Sequence, residues 1–503
     1  MDNNKCLFRR QFILGPHFIN NLPEWKMVKY DEKYFLTVHP ELEVSKATFD
    51  KNIFVLIGYI IDPFNPSFSN QEIIKNIAEK ISVTDDMFKC LDSMCGRFVI
   101  IAKINDELII FNDAGGYRQI YYYSDENNNL WCGSQPSIIA EQFKFEKDRD
   151  ITNDLIKIPL IEDEISRWFP GNITLYKDIY HLTPNHYLEL NSGEAKRYWP
   201  TQKLKPISIE EAVESSSKIL QGAFKGASLR YNLGLAVTAG YDSRVLLAAC
   251  RMVKDKISFF THTHNDLDEN GIDIQIPKKL LQKIGQKHNL FRHSNEIDDD
   301  FKTIFNRNVT GAKESALRNA YAFYNYFIKI GKEMVVTYGE AGGLGKSYYR
   351  LPSFFPVNEK ALATLTGMRG SRIAEQAFGE WWKSAKKAAD CGMKMTDLLY
   401  WEMRLGNWST FAISSYDIVF ESFLPFNCRK IMQCFISVDK KYRLPPNYTH
   451  VYLVKNMWPE LLELPINPPS GKKEEIKSKI KGTKLYGTIR FLKFIFRYLL
   501  GYS

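Results

Sequence analysis

An apolar run, Leu233–Val237, meets a second one, Val245–Cys250, across only seven small or polar residues, Thr238-Ala-Gly-Tyr-Asp-Ser-Arg244. So short a break, with no turn cluster before the helical pattern starts, joins a strand directly to a helix. The spacing predicts a strand over 233–238 and a helix over 242–254. Strand-like runs recur at 257–262 and 334–338, with helical stretches around 272–288 and onward to about residue 460. Strands alternating with long helices predict an α/β region built on a parallel sheet. It begins near residue 207, where SIEEAVESSSKILQGAFKGA carries an N-terminal Ser208, early acids and helical apolar spacing.

The first 200 residues have a different texture. Phe54–Ile61, Gly96–Ala102, Glu107–Phe111, Gln119–Tyr123 and Leu130–Cys132 are short apolar or alternating runs between turn-forming stretches, and helical patterns lie near 70–81 and 151–167. That predicts an α+β region with antiparallel sheets. RYWPTQKLKP, residues 197–206, reads as the linker, which gives domains over 1–200 and 207–470 and a tail over 471–503. A charge of +9 spread over 503 residues permits an anionic partner and does not call for nucleic acid. The eight cysteines form no CxxC pair and fit reduced, buried thiols in a cytoplasmic protein. MDNNKCLFRR lacks the apolar stretch of a signal peptide, and no apolar run is long enough to span a bilayer.

A strand that turns at once into a helix leaves amide N–H groups without partners at the helix start, and these together with the helix dipole form an anion site. Ala239 and Gly240 let the chain approach a phosphate, and Thr238 and Ser243 offer hydroxyls. A carboxylate such as Asp242 beside a phosphate calls for a bridging cation, for which a magnesium ion (Mg2+) is the natural choice. A tight turn in which Asp242 only caps the helix explains the same residues equally well.

Beyond this chemistry, Val237-Thr-Ala-Gly-Tyr-Asp-Ser243 resembles the Ser-Gly-Gly-x-Asp-Ser pyrophosphate loop of the N-type ATP pyrophosphatases, and the chain as a whole resembles the asparagine synthetase family, β-lactam synthetases and polysaccharide-cluster relatives included. GRFVIIAKINDELIIFNDAGGYRQIYYY (96–123), YGEAGGLGKSYY (338–349) and FESFLPFNCRKIMQCFISV (420–438) are similar to three further family segments. The resemblance implies an Ntn-hydrolase-like αββα sandwich followed by an adenine nucleotide α-hydrolase-like α/β domain. It implies ATP and Mg2+ as cofactors. Val237, Thr238, Ala239, Gly240, Asp242, Ser243, Thr261, Tyr338 and Gly339 would line the nucleotide, with Asp242 on the metal. Glu340 matches the carboxylate of the family's Ser-Gly-Glu and would position an amine and take its proton. Thr261 and Tyr338 also read as simple rim packing, and Glu340 as a loop acid. The family's second magnesium aspartate falls at Gly343. A family lysine that steadies adenylate and pyrophosphate falls in PINPPSGKKEEIKSK, with Lys472 as candidate and Lys473 as substitute; a solvated charge run is the plainer reading of that stretch.

Family members that hydrolyse glutamine expose a cysteine as the mature first residue and use its own α-amine as base. This chain has Asp2 there, and Cys6 carries an amide nitrogen with no basic lone pair. Ile57-Gly-Tyr-Ile-Ile-Asp62 and Ser69-Asn70 replace the family's glutamine contacts, and YFLTVHPEL holds no arginine. The first domain is therefore expected to be glutamine amidotransferase-like without the glutaminase reaction, and the nitrogen donor to be ammonia or an amine.

The tail, KGTKLYGTIRFLKFIFRYLLGYS, places Arg490, Lys493 and Arg497 in one stripe on an otherwise apolar helix. Such a helix suits the surface of the inner membrane, or else docks on the protein or on a second copy in a homodimer. The expected function is an AMP-forming amide ligase joining a small-molecule or glycan carboxylate to ammonia or an amine. A glutamine-hydrolysing asparagine synthetase and a catalytically silent nucleotide-binding or assembly protein are the alternatives.

Overall fold

A computed structural model describes residues 3–156, 168–263, 270–292, 296–309, 314–349, 357–469, 471, 475, 480 and 484–500. Among them the strands form three sheets. Two are six-stranded and antiparallel. One runs in the order Tyr180–His181, Tyr121–Ser124, Leu130–Gly133, Phe12–Gly15, Phe35–Val38, Lys26–Lys29; the other runs Glu194–Arg197, His186–Glu189, Glu107–Asn112, Cys95–Ile104, Asn52–Ile61, Val44–Phe49.

Side-chain alternation along Asn52–Ile61 shows how they stack. Val55 and Ile57 face Phe12, Leu14, Leu36 and Val38 of the first sheet. Phe54, Leu56 and Ile60 point the other way, onto Ile73, Ile74 and Ile77 of the helix Asn70–Lys80 and onto Met87, Phe88 and Leu91 of the helix Thr84–Leu91. Both faces are buried, so the strand reads as a continuous apolar run. Beyond the first sheet, Ile138 and Ile139 of the helix Pro136–Phe143 cover Ile13 and Trp131. The layers are helix, sheet, sheet, helix.

The third sheet is parallel, in the order His288–Arg292, Ile257–Thr263, Leu233–Ala236, Val335–Thr337, Ser422–Phe423. Three expected boundaries shift, the first being the helix expected over 242–254, which ends at Ala249 before a 3-10 segment, Arg251–Lys256. The strand at 233 ends at Ala236, because the Thr238 amide turns to Ser243 Oγ, 3.2 Å away. The helix at 272 ends at Lys283, Gly285 takes φ +71°, and His288–Arg292 becomes the edge strand. The chain runs outward from Leu233–Ala236 to one side and returns to the other side at Val335–Thr337, so the sheet has a switch point between these two strands.

A seam of buried charge joins the antiparallel pair to the last parallel strand. Arg97, 1% exposed, grips Asp417 with both terminal nitrogens and donates to Glu421 Oε1 at 2.9 Å. Arg118 pairs with Glu421 Oε2, and the Tyr59 hydroxyl donates to the Ser422 carbonyl at 2.7 Å. Burial pushes the Glu421 carboxyl up, yet Arg118, Arg97 and Arg10 outweigh it and leave its pKa at about 2. Asp417→Ala would leave guanidinium charge buried without its acid. It is expected to destabilise the chain by about 3–5 kcal/mol in urea unfolding, against about 0.5 kcal/mol for an exposed control such as Glu214→Ala.

Candidate functional site

In an open parallel sheet, a crevice forms outside the carboxyl ends of the strands at the switch point. The two segments that flank it here are the turn after Leu233–Ala236 and the turn after Val335–Thr337. Val237 is buried; its amide bonds the Phe260 carbonyl at 2.8 Å and its carbonyl accepts the Thr261 hydroxyl at 2.7 Å. Thr261 is buried as well, 2.8 Å from His288 Nε2. Both residues build the floor of the crevice.

The turn itself is closed by its own side chains. Thr238 Oγ1 lies 3.0 Å from Ser243 Oγ and accepts the Gly240 amide at 3.2 Å. The Ala239 amide donates to Asp273 Oδ1 at 3.0 Å, and the Ala239 carbonyl accepts from the Asn467 amide at 2.9 Å. A carboxylate thus sits on the amide where an anionic ligand would sit, and a phosphate reaching Ala239 has to displace Asp273. Gly240 occupies the N-cap of the helix Tyr241–Ala249 and supplies no side chain to it. Asp242, the second residue of that helix, points elsewhere.

Asp242 Oδ2 accepts from Lys346 Nζ, and Oδ1 lies 3.0 Å from His450 Nε2. Burial pushes the Asp242 carboxyl up, but Lys346 and His450 outweigh it and hold the pKa at about 2. His450 is fully buried, and burial lowers its pKa, so the ring is neutral at pH 7. A carboxylate only accepts, so His450 Nε2 carries the hydrogen. Two glycines let the facing turn come this close. A Cβ at Gly339 would stand 2.7 Å from Asp242 Cβ, and one at Gly342 would stand 2.5 Å from Asp242 Oδ1. Ala341 (φ +70°) and Ser347 (φ +45°), in the left-handed region, bracket the tight turn Gly342–Lys346 that delivers the ammonium. At Gly343 a Cβ would meet the Tyr400 hydroxyl at 1.9 Å, so a side chain there would require Tyr400 to move.

These residues do not fit a resident magnesium ion. The carboxylate at the tip already has an ammonium for its counter-charge, and the Tyr400 hydroxyl stands where a side chain at 343 would supply a second acid.

Glu340 stands on the same turn. Its Oε2 accepts from Ser409 Oγ at 2.5 Å, and Ser409 Oγ lies 3.1 Å from the buried Tyr117 hydroxyl. Burial raises the Glu340 carboxyl, and the charge of Asp242 adds to this, against the Ser409 hydrogen bond and Arg404. Ser409 ends a π-helix, Tyr400–Ser409, a rare form concentrated at functional sites. Glu402 of this segment, wholly buried, accepts from Arg197 Nη2, Asn185 Nδ2 and Trp381 Nε1, each at 2.8 Å. The antiparallel sheets therefore fix the helix that holds Glu340. Arg404 stacks 3.6 Å above the Trp408 ring. Tyr338 rests 6.0 Å from the Tyr416 ring, with its amide on the Phe423 carbonyl at 3.1 Å.

Val237, Thr238, Ala239, Gly240, Asp242, Ser243, Thr261, Tyr338, Gly339 and Glu340 thus all gather at one end of the parallel sheet. Lys472 and Lys473 lie outside the described residues. The sequence reading missed Lys346, His450, Asp273, Ser409 and Arg404. Lys346 had a local signal, a cation three residues past the glycine that replaces an acid; the others come from distant segments without one. In the first 200 residues, Ser69 caps the helix Asn70–Lys80 through a capping box with Glu72, Asn70 holds the Ile60 amide and the Gly58 carbonyl, and Cys6 is buried among Phe301, Ile304 and Leu317. These roles are structural.

No known protein family and no curated protein matches the chain. Among solved structures, the glutamine-dependent NAD+ synthetase from Acinetobacter baumannii, in complex with ADP, is 9% identical over 48% of this chain and 57% of its own length, with a TM-score of 0.20. The allosteric regulatory enzyme of purine biosynthesis is 10% identical over 62% and 75%, with a TM-score of 0.24. The glutamine phosphoribosylpyrophosphate (PRPP) amidotransferase from B. subtilis, complexed with ADP and GMP, is 9% identical over 68% and 71%, with a TM-score of 0.23. The chain spans little more than half the length of the NAD+ synthetase. Superpositions this loose carry no site residue across.

Lys346→Met is expected to destabilise the chain by about 1–3 kcal/mol at pH 7 in urea unfolding. Asp242 has a depressed folded pKa, so the stability it contributes is full above its ordinary value of 3.8 and is lost as pH falls toward about 2. The gap between the two proteins should close over that range.

Proposed function

We propose that the chain is an ATP-dependent carbon–nitrogen ligase that releases AMP and pyrophosphate. The observation that carries this reading is the convergence, at one switch point, of the strand-to-helix turn 238–243 and a carboxyl with a raised pKa (Glu340) held by Ser409. In this reading residues 1–200 are an Ntn-hydrolase-like scaffold without a glutaminase reaction, and 207–470 form the adenine nucleotide α-hydrolase-like domain. Adenine and ribose lie along Val237, Thr261, Tyr338 and Gly339. The triphosphate tail meets Thr238, Ala239, Gly240 and Ser243, displacing Asp273 from the Ala239 amide.

A substrate carboxylate oxygen attacks the α-phosphorus, the bond to the bridging oxygen breaks, and pyrophosphate leaves. The amine nitrogen then attacks the acyl carbon and AMP departs with the carboxylate oxygen. The nitrogen loses its proton to Glu340, whose raised pKa makes it a stronger base than a solvated carboxylate. Lys346 stands beside the turn with a positive charge for the departing phosphates, and helix amides oriented in advance stabilise the same charge.

A second reading, a silent nucleotide-binding or assembly protein, has its own support in the Ala239–Asp273 bond and the compensated Asp242. AMP and pyrophosphate release decides between them. Purified protein supplied with ATP, candidate carboxylates and amines is expected to form both products, and Glu340→Gln to slow this by about 100-fold or more while ATP still binds. ATP binding without AMP under any pairing would favour the silent protein. Glutamine supplied as the nitrogen source is expected to yield no glutamate, because Asp2 offers no nucleophile; glutamate release would restore the glutamine-hydrolysing alternative.

A further inference from the structure

The helix Lys484–Leu500 contains no acidic residue. One face docks on the protein. Phe494 is buried in the main core, and Phe491, Ile495 and Tyr498 pack against it. Asn358 Nδ2 donates to the Tyr498 hydroxyl at 3.3 Å, the Lys360 ammonium lies 5.1 Å from that ring, and Arg490 donates to the Tyr348 carbonyl at 3.1 Å. The other face turns outward with Leu492 60%, Phe496 54% and Leu499 66% exposed. Spacings of four and three residues set these three in one stripe along the helix. Lys493 and Arg497, both exposed, each follow a stripe residue by one position, so they form a parallel basic row about 100° round the helix.

We propose that this outward face seats the chain on an anionic lipid surface, with the helix lying flat and the apolar stripe in the headgroup boundary. No described helix is long and apolar enough to cross a membrane, so the contact is with one leaflet. Charge selects the occupant. A second copy of the same face would bring two basic rows together with no acid on either helix to offset them, whereas anionic headgroups complement the row. Because the inner face is anchored by Phe494, the helix need not fold on arrival, and the ordering cost of binding is small.

The test is co-sedimentation of the full chain with vesicles of phosphatidylglycerol and phosphatidylcholine in equal parts, and with phosphatidylcholine alone. Binding is expected to the first and not to the second, and to weaken as salt rises. Lys493→Gln with Arg497→Gln is expected to weaken it roughly thirtyfold, at about one factor of five per cation. Leu492→Ser with Leu499→Ser is expected to abolish binding with an unchanged thermal midpoint, since these side chains are 60% and 66% exposed. Equal binding to both vesicles, wild-type binding by either variant, or protein that stays in the supernatant with both vesicles would overturn the proposal. In the last case, a dimer by light scattering that the Leu492→Ser, Leu499→Ser variant dissociates would assign the face to a second copy.

Discussion

Two guanidiniums and two carboxylates taken out of water between the antiparallel pair and the parallel sheet set the geometry of everything above them. Arg97 and Arg118 come from the first half of the chain, Asp417 and Glu421 from the stretch that runs into the last parallel strand. As a set, such a cluster adds little net stability, because desolvation cancels most of the attraction, but each member is costly to lose. Its effect is positional. Glu421 leads into Ser422–Phe423, which pairs with Val336 and Thr337, and the next turn carries Glu340. A second buried cluster, Glu402 with Arg197, Asn185 and Trp381, fixes the π-helix whose last residue holds the Glu340 carboxyl. The antiparallel half therefore places the groups of the crevice.

Inside the crevice, charge is already balanced. Asp242 has Lys346, and the Ala239 amide has Asp273. Such compensation keeps a glycine-rich edge ordered in the absence of ligand, and it sets a threshold: an incoming anion has to offer the Ala239 amide and the Lys346 ammonium more than the resident carboxylates do. A triphosphate with several negative oxygens meets that condition better than a single carboxylate does. Lys346 also gives Asp242 its counter-charge from within the chain.

Much of this was legible in the sequence. The short apolar runs in Asn52–Ile61 and Cys95–Ile104, and the abrupt join at 238–243, are local patterns, and they predicted the two kinds of sheet and the candidate turn. The strand His288–Arg292 was not legible, because its residues continue the helical spacing of 272–283 and only the positive φ of Gly285 separates them. The strand Ser422–Phe423 is two residues long and is held as a strand by Val336 and Thr337. His450 and Asp273 reach the site from helices whose own patterns speak only of packing, and the π-helix has no propensity signature that would set Ser409 beside Glu340. Which face of the C-terminal helix docks was not legible from its amphipathic pattern alone, because the residues that receive it, such as Asn358 and Lys360, are distant in sequence.

The central claim is that the turn at 238–243 accepts a triphosphate. Its most direct test is a crystal structure of the chain with a non-hydrolysable ATP analogue. The account predicts phosphate oxygens on the amides of Thr238, Ala239 and Gly240, with the Asp273 carboxylate displaced from Ala239. An analogue bound elsewhere, or a crevice in which Asp273 still holds the Ala239 amide at saturating analogue, would contradict it.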